Sequence, residues 1–207
     1  MQDIFISPLS SGLTSWVEAF PKAKISTMVS AKPTKAQKSA RLLFWLHMNE
    51  DRQQWLTNTI HVIQKKHENA KIVVLANAPN QAEAFHAMSM GVVAYSHAYS
   101  PAFVLVEIKT VISHGGVWLG QDLLKRIIEV STSLAGNEAE QVNQHLKALT
   151  KREKEVAVEA AKGLSNKEIS RILKITERTV KAHLSSTFER LGAKDRLHLA
   201  LMLNKKS

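Results

Sequence analysis

The chain has 207 residues, 44% of them apolar and 22% charged, which is enough for two compact domains and too few for a large multidomain enzyme. Because it has no cysteine, it can form neither a disulfide framework nor a cysteine-ligated metal site, and the cytoplasm is the expected compartment. The opening residues lack a signal-peptide pattern and no apolar run approaches ~18 residues, so neither export nor membrane insertion is expected.

The net charge of +10 is unevenly distributed. Residues 1–146 carry 13 Lys/Arg against 11 Asp/Glu, whereas residues 147–207 carry 15 against 7. A basic domain of this kind is typical of a protein that meets a polyanion, and a well-solvated lysine-rich surface is the alternative. Charge by itself does not decide between the two.

The first 130 residues alternate short apolar runs with helix-length segments. The predicted strands are Ile4–Ser7, Lys24–Val29, Arg41–Leu46, Lys71–Ala76 and Val92–Tyr95. The predicted helices are Gly12–Phe20, Arg52–Lys66, Gln81–Ser89 and Pro101–Ser113, whereas residues 32–39 are too short and polar to predict one. Continuous apolar runs are typical of parallel strands covered on both faces. The order therefore predicts an α/β fold with a doubly wound five-strand parallel sheet.

A further amphipathic helix is predicted over residues 118–134, after the pair Gly115 and Gly116. Residues 131–146 are small and polar, which favours a linker. The predicted organisation is a domain of residues 1–130, a linker of residues 131–146 and a second domain of residues 147–207.

The second domain is predicted to contain four short helices. Thr150–Glu153 and Ser165–Glu168 have the spacing of capping boxes, which mark two helix starts. Thr176 and Asp195 can cap a third and a fourth helix, and Gly163 and Gly192 are placed to end the first and third. Because only Lys174 and Ile175 separate the second helix from the Thr176 cap, the pattern indicates a helix-turn-helix.

The third of these helices is predicted to have a packing face and an outward face. At ~100° per residue, one side carries Val180, Leu184, Thr187 and Leu191, and the opposite side carries Lys181, Ala182, Ser185 and Glu189. Its first turns also offer Arg178, Thr179 and His183, and no acidic residue lies between Glu177 and Glu189. Such a helix suits the DNA major groove, whose phosphates would repel an acidic tip.

Residues 149–201 resemble the LuxR/FixJ-type four-helix DNA-binding domain, in the phrases LTKREKEV, GLSNKEI, ITERTVKAHL and RLGAKDR. The resemblance implies a helix-turn-helix at Asn166–Ser185, with Lys181, Ala182 and Ser185 reading bases. It implies that Lys167, Thr179 and neighbouring basic residues such as Arg178 anchor the DNA backbone, and that His183 faces this backbone or the partner helix. Asp195–Leu203 resembles the helix that forms the dimer contact in relatives. A generic small helical bundle is the alternative.

The first domain resembles the receiver of two-component response regulators, most clearly over residues 90–124. The resemblance implies an acidic pair after the first strand, a phosphate-accepting Asp at the end of the third, and a Thr/Ser and a Lys beyond. At these places we read Ser7-Pro8-Leu9, Trp45, Ala76 and His97-Ala98. Glu50 and Asp51 are expected to begin the next helix, and Tyr95, at the switch aromatic, is expected to pack. The sequence therefore predicts a receiver that does not take a phosphoryl group.

Some regulators of the CsgD/VpsT kind also have a degenerate receiver and bind cyclic di-GMP through a Trp-[Leu/Phe/Met]-[Thr/Ser]-Arg motif. The corresponding residues are Trp118-Leu119-Gly120-Gln121, which lack the hydroxyl and the guanidinium. Trp118 is therefore a candidate ligand-binding residue, and packing is the favoured alternative.

The nine histidines are scattered and show no metal-binding spacing, and no nucleophile or phosphate-loop motif occurs. We therefore predict no enzymatic activity, no metal and no cofactor. The predicted function is sequence-specific, phosphorylation-independent transcription regulation. The predicted partners are double-stranded DNA and a second copy of the chain, with RNA polymerase and cyclic di-GMP as further candidates. The alternative is an adapter whose receiver-like helices Gln81–Ser89 and Pro101–Ser113 bind a partner protein.

Overall fold

The computed structural model describes residues 1–9, 11–29, 41–48, 52–134 and 149–204. The chain divides into two compact units, of which the first comprises Met1–Pro79 and Ala87–Gly120 and the second comprises Asn80–His86 and Gln121–Ser207. Across these described stretches, none of the helices combines the length and the apolarity that crossing a membrane requires.

The first unit is built on a five-strand parallel sheet, as predicted. Its strands are β1 (Gln2–Ile6), β2 (Lys24–Ser26), β3 (Leu42–His47), β4 (Lys71–Ala76) and β5 (Ala94–His97), in the order β2-β1-β3-β4-β5. All four pairings are parallel. The order reverses direction beside β1, which confirms the doubly wound fold.

Four helices follow the first, third, fourth and fifth strands. They are α1 (Thr14–Ala19), α2 (Arg52–Lys66), α3 (Gln81–Ser89) and α4 (Ala102–Ser113). The bounds of α2 and α3 are those that the sequence predicts, whereas β1 begins two residues earlier than predicted and β5 lies two residues later. Residues 32–39 lie outside the described part of the chain.

All six residues of β3 are buried, because the central strand is covered on both faces. Its Trp45 stacks on Phe5, with the ring centroids 5.4 Å apart, and Phe5 stacks in turn on Trp16 at 4.8 Å. The indole nitrogen of Trp45 donates a hydrogen bond to Asp3 Oδ1 at 3.1 Å. Lys109 of α4 pairs with the other oxygen of Asp3 at 2.5 Å. The buried carboxylate thus ties α4 and the centre of β3 to β1.

The helix predicted over residues 118–134 begins three residues later, as α5 (Gln121–Leu134). It falls in the second unit rather than with the sheet, whereas the predicted first domain extends to residue 130. Its last four residues overlap the predicted linker of residues 131–146, and the rest of that linker lies outside the described residues.

The second unit contains the four predicted short helices, α6 (Lys151–Ala161), α7 (Asn166–Leu173), α8 (Glu177–Leu191) and α9 (Arg196–Asn204). Both predicted capping boxes are present in full, at Thr150–Glu153 and at Ser165–Glu168. Asp195 caps α9, since its Oδ1 accepts from the backbone N–H of His198 at 2.8 Å. Gly192 ends α8 in the left-handed conformation, at φ 63°, where a glycine carries no side-chain strain.

Candidate nucleic-acid interface

The turn between α7 and α8 is as short as the sequence predicts. Leu173 ends α7, Lys174 and Ile175 form the connection, and Thr176 caps α8 by accepting from the Thr179 backbone N–H at 3.1 Å. A connection of this length between two packed helices is the helix-turn-helix arrangement. It places the N-terminal turns of α8 beside α7.

The two predicted faces of α8 are confirmed by burial. Its buried residues are Val180, Leu184, Thr187 and Leu191. Its outward residues Lys181, Ala182, Ser185 and Glu189 are all exposed. The apolar face therefore holds α8 against the domain, while the opposite face is accessible to a large partner.

The predicted contact residues outside this face have different environments. Arg178 and Lys167 are exposed, whereas Thr179 and His183 are half-buried. Neither cation forms an ion pair within the described part of the chain. No acidic residue occurs in the sequence from Arg178 to Phe188. The exposed cations of this stretch therefore suit a polyanion.

One carboxylate, Glu153 of α6, holds α8 in place. Only 4% of this residue is exposed, and its oxygens accept from Thr150 N–H and Oγ1, each at 2.8 Å, and from Ser186 Oγ at 2.7 Å. Arg190 lies 3.5 Å away. The hydrogen bonds from Ser186 and Thr150, with the charge of Arg190, lower the pKa of Glu153 from 4.5 to about 2. The capping-box spacing predicts the bond to Thr150, but nothing in the sequence indicates the bond to Ser186.

Replacing Glu153→Gln should destabilise the second unit, because a neutral amide offers one acceptor where four donors converge. The folded pKa lies below the unfolded one, so the carboxylate's contribution is present above about pH 4.5 and is lost as the pH falls towards 2. Thermal unfolding should therefore show a wild-type advantage at pH 7 that shrinks between pH 5 and pH 3. Glu189→Gln, at an exposed site on α8, is the matched control, and a difference that does not change with pH would contradict the assignment.

Arg196 at the start of α9 holds the beginning of α7. Its guanidinium donates to the backbone carbonyl of Leu164 and, at 2.8 Å, to Asn166 Oδ1. Burial lowers the pKa of Arg196, and the charge of Glu168 opposes this change. A second arginine, Arg126 of α5, pairs with the α9 cap Asp195. These contacts fix the position from which Lys167 projects.

The carboxyl edge of the sheet is where the receiver resemblance implies a phosphoryl site. The sequence interpretation put Trp45 at the acceptor position, but this is wrong, because β3 continues to His47 and Trp45 lies in the core. Ser7 Oγ and His47 Nδ1 are 2.9 Å apart, and His47 Nε2 lies 2.8 Å from Asn77 Oδ1. The backbone N–H of Leu9 also donates to Ser7 Oγ, at 3.0 Å.

These distances describe a hydrogen-bonded chain of a hydroxyl, an imidazole and an amide. Each ring nitrogen of His47 has one polar partner in this chain. Ser7 is fully buried and His47 is 3% exposed. Among the residues described at this edge, Ala76 and Ala98 are also buried, and His97 accepts from the Tyr99 backbone N–H at 3.1 Å. Glu50 and Asp51 lie outside the described residues.

Trp118 precedes α5 and lies beside β5. Its backbone N–H donates to Val93 at 3.0 Å and its carbonyl accepts from Tyr95 at 3.3 Å. The half-buried side chain packs against the core that contains Trp16 and Trp45. These contacts favour a packing role for Trp118. Within the described residues, no group of three or more His, Asp or Glu side chains could hold a metal ion.

Comparison with known proteins finds a family match within the second unit. Residues 147–203 match the family described as "Bacterial regulatory proteins, luxR family". This stretch includes α6, α7, α8 and nearly all of α9, so these four helices are similar to the DNA-binding domain of that family. The match covers the residues in which the sequence resemblance was found.

Over 134 residues the chain is 34% identical to the "Uncharacterized transcriptional regulatory protein YhcZ" of Bacillus subtilis, an alignment that covers 64% of this chain and 60% of that protein. The alignments cover 30% of the length of one curated relative and 65% of the length of another, both from Escherichia coli.

Several solved structures align with the whole chain over 99% of their own length. Two of them are the response regulator RcsB in complex with DNA, at a TM-score of 0.53 and 14% identity, and two RcsB dimers bound to two parallel DNAs, at 0.50 and 13%. At this identity the likeness shows the fold alone, which is a receiver-like α/β domain followed by a helical helix-turn-helix domain.

Proposed function

We propose that this protein is a transcription regulator that binds double-stranded DNA in a sequence-specific manner. The observation that carries the proposal is the outward face of α8, where Lys181, Ala182 and Ser185 are exposed while the opposite face is buried. A helix held in this way can enter the major groove with its N-terminal turns first. The name of the Bacillus subtilis relative and the RcsB–DNA complex support the same function.

Within this proposal, each predicted contact residue has a role. Lys181 and Ser185 reach base edges, and Ala182 makes an apolar contact such as a thymine methyl group accepts. Lys167, Arg178 and Thr179 bind phosphates, and His183 lies towards the backbone. Selection of bound DNA from a random library, followed by gel shifts, should yield one enriched sequence that binds at least tenfold more tightly than random DNA. Equal binding to both would contradict sequence-specific regulation.

We further propose that the regulator acts as a homodimer in the cytoplasm. The RcsB structure contains dimers on DNA, and two identical recognition helices ~34–36 Å apart would read a site with two-fold symmetry. The enriched sequence should therefore be palindromic with half-sites one helical turn apart. No ligand is assigned to Trp118, because its contacts with the core account for it.

Independence from phosphorylation is the second part of the proposal. It is supported by the chain Ser7–His47–Asn77, in which a serine, a histidine and an amide stand where phosphoryl transfer needs carboxylates and Mg²⁺. A degenerate receiver, as in regulators of the CsgD/VpsT kind, fits the same proposal.

Incubation of the protein with Mg²⁺ and either acetyl phosphate or beryllofluoride should leave its affinity for the selected DNA unchanged. Intact mass spectrometry should detect no phosphoprotein. A phosphorylated species that disappears in Asp51→Asn would contradict independence and would locate the acceptor.

A protein-binding adapter is the second candidate, and one observation favours it. The side chains of Phe103 and Val106, within the predicted partner helix α4, are exposed, and that of Phe103 is 66% accessible. The side chain of Tyr99, just before α4, is exposed as well. An exposed apolar group of this kind is common at protein interfaces. A stoichiometric partner whose binding is lost in Phe103→Lys, together with no promoter enrichment in a genome-wide footprint, would make this candidate the better one.

A further inference from the structure

Lys174, in the turn of the helix-turn-helix, has an unusual backbone conformation. Its φ of 53° and ψ of 46° are left-handed, and across the described residues it is the only non-glycine with a positive φ. Glycine or asparagine normally takes this position after a helix, because a larger side chain crowds its own backbone. A lysine therefore occupies a site that favours a smaller residue.

Neighbouring hydrogen bonds hold the turn in this conformation. The backbone N–H groups of Lys174 and Ile175 both donate to Ser170 O, the latter at 3.0 Å. Arg152 of α6 donates to the carbonyl of Leu173 at 3.2 Å, and Thr176 caps the next helix. A strained residue that its surroundings hold in place is typical of a functional position.

Lys174 adds a third cation to two that α7 carries. Lys167 and Arg171 are four residues apart, so they lie on one side of α7, and Lys174 follows directly after the helix ends at Leu173. All three are exposed. In the described part of the chain none of them forms an ion pair, not even with the nearby Glu177.

We propose that Lys174 is a DNA-backbone anchor, which binds a phosphate of the strand that α7 crosses. This inference rests on the proposed function. In helix-turn-helix complexes the first helix crosses the phosphate backbone while the second enters the groove. Lys174 then fixes the turn on the duplex, next to the helix that reads bases, and contributes affinity without sequence preference.

The test uses the full chain with Lys174 replaced by a neutral residue that tolerates the left-handed conformation. Lys174→Asn should keep or raise the melting temperature, since strain is relieved. Its dissociation constants on selected and on random DNA should both rise by about threefold or more, and the slope of log affinity against log salt should fall by ~0.9, as for one lost phosphate contact. Lys174→Arg should keep wild-type affinity and slope.

Lys194→Asn, an exposed lysine in the loop after α8, is the matched control and should keep the wild-type slope. Wild-type affinity and slope in Lys174→Asn would overturn the inference, as would an equal loss in Lys194→Asn or a loss confined to the selected sequence. If any of these results is obtained while the wild-type chain still binds its selected DNA, the proposed function stands and only the role of Lys174 as an anchor is rejected. Absence of salt-dependent binding by the wild type would reject both.

Discussion

Raising the salt concentration from 50 to 200 mM should weaken binding of this protein to DNA by about 10³–10⁵, if six to ten phosphates are contacted. The physical cause is the release of counterions that condense on the duplex and are displaced by lysine and arginine. The charge distribution supports a large effect, because residues 147–207 carry 15 basic against 7 acidic residues. The exposed cations Lys167, Arg178 and Lys181 lie on α7 and α8.

Fluorescence anisotropy with a labelled duplex at four or five salt concentrations would give the slope of log affinity against log salt. We expect a slope between about −5 and −9. Thermal unfolding at the two extreme concentrations is the control, since the domain must remain folded throughout. Affinity that does not change with salt would be incompatible with a phosphate-contacting helix-turn-helix.

Replacing Lys181→Ala should reduce affinity for the selected DNA by about 5- to 150-fold, which corresponds to ~1–3 kcal/mol, and should reduce discrimination against random DNA. Lys181 is exposed on the outward face of α8, one residue after the buried Val180. Its removal should leave the core unchanged. A lysine that contacts a base edge makes this contact only on the preferred sequence. Its removal therefore weakens binding to that sequence more than binding to random DNA.

Competition gel shifts with selected and random duplexes would measure both effects. Lys65→Ala, which removes an exposed lysine from α2, is the matched control and should bind both duplexes as the wild type does. An equal loss by Lys181→Ala on both duplexes would mean that Lys181 contacts only phosphate, and Ser185 would then be the next candidate for base reading.

The helical domain could be predicted from sequence because its signals are local. A capping box needs two residues three apart, as at Ser165 and Glu168, and the burial of Val180 and Leu184 follows from helical periodicity alone. The parallel sheet was predictable for a similar reason, since continuous apolar runs mark buried strands. Strand ends were less well predicted, because hydrogen bonding to a neighbouring strand decides where a strand stops.

The contacts that hold α8 and those at the carboxyl edge of the sheet join residues far apart in the chain. Ser186 meets Glu153 across 33 residues, and His47 meets Ser7 across 40. Sequence periodicity does not connect such pairs. The strand predicted over Arg41–Leu46 continues to His47, so the acceptor position was placed two residues too early, at Trp45. The left-handed conformation of Lys174 was equally hidden, because lysine carries no turn preference that would indicate it.

The chain Ser7–His47–Asn77 also bears on how this protein can evolve. Its donors and acceptors satisfy one another, so an aspartate introduced at position 47 alone would face an amide and a hydroxyl, with no second carboxylate among its described contacts to share a metal ion. An acidic residue at position 7 alone would likewise have His47 as its hydrogen-bonding neighbour. Under the proposed function, a phosphoryl site at this edge would therefore require several substitutions together.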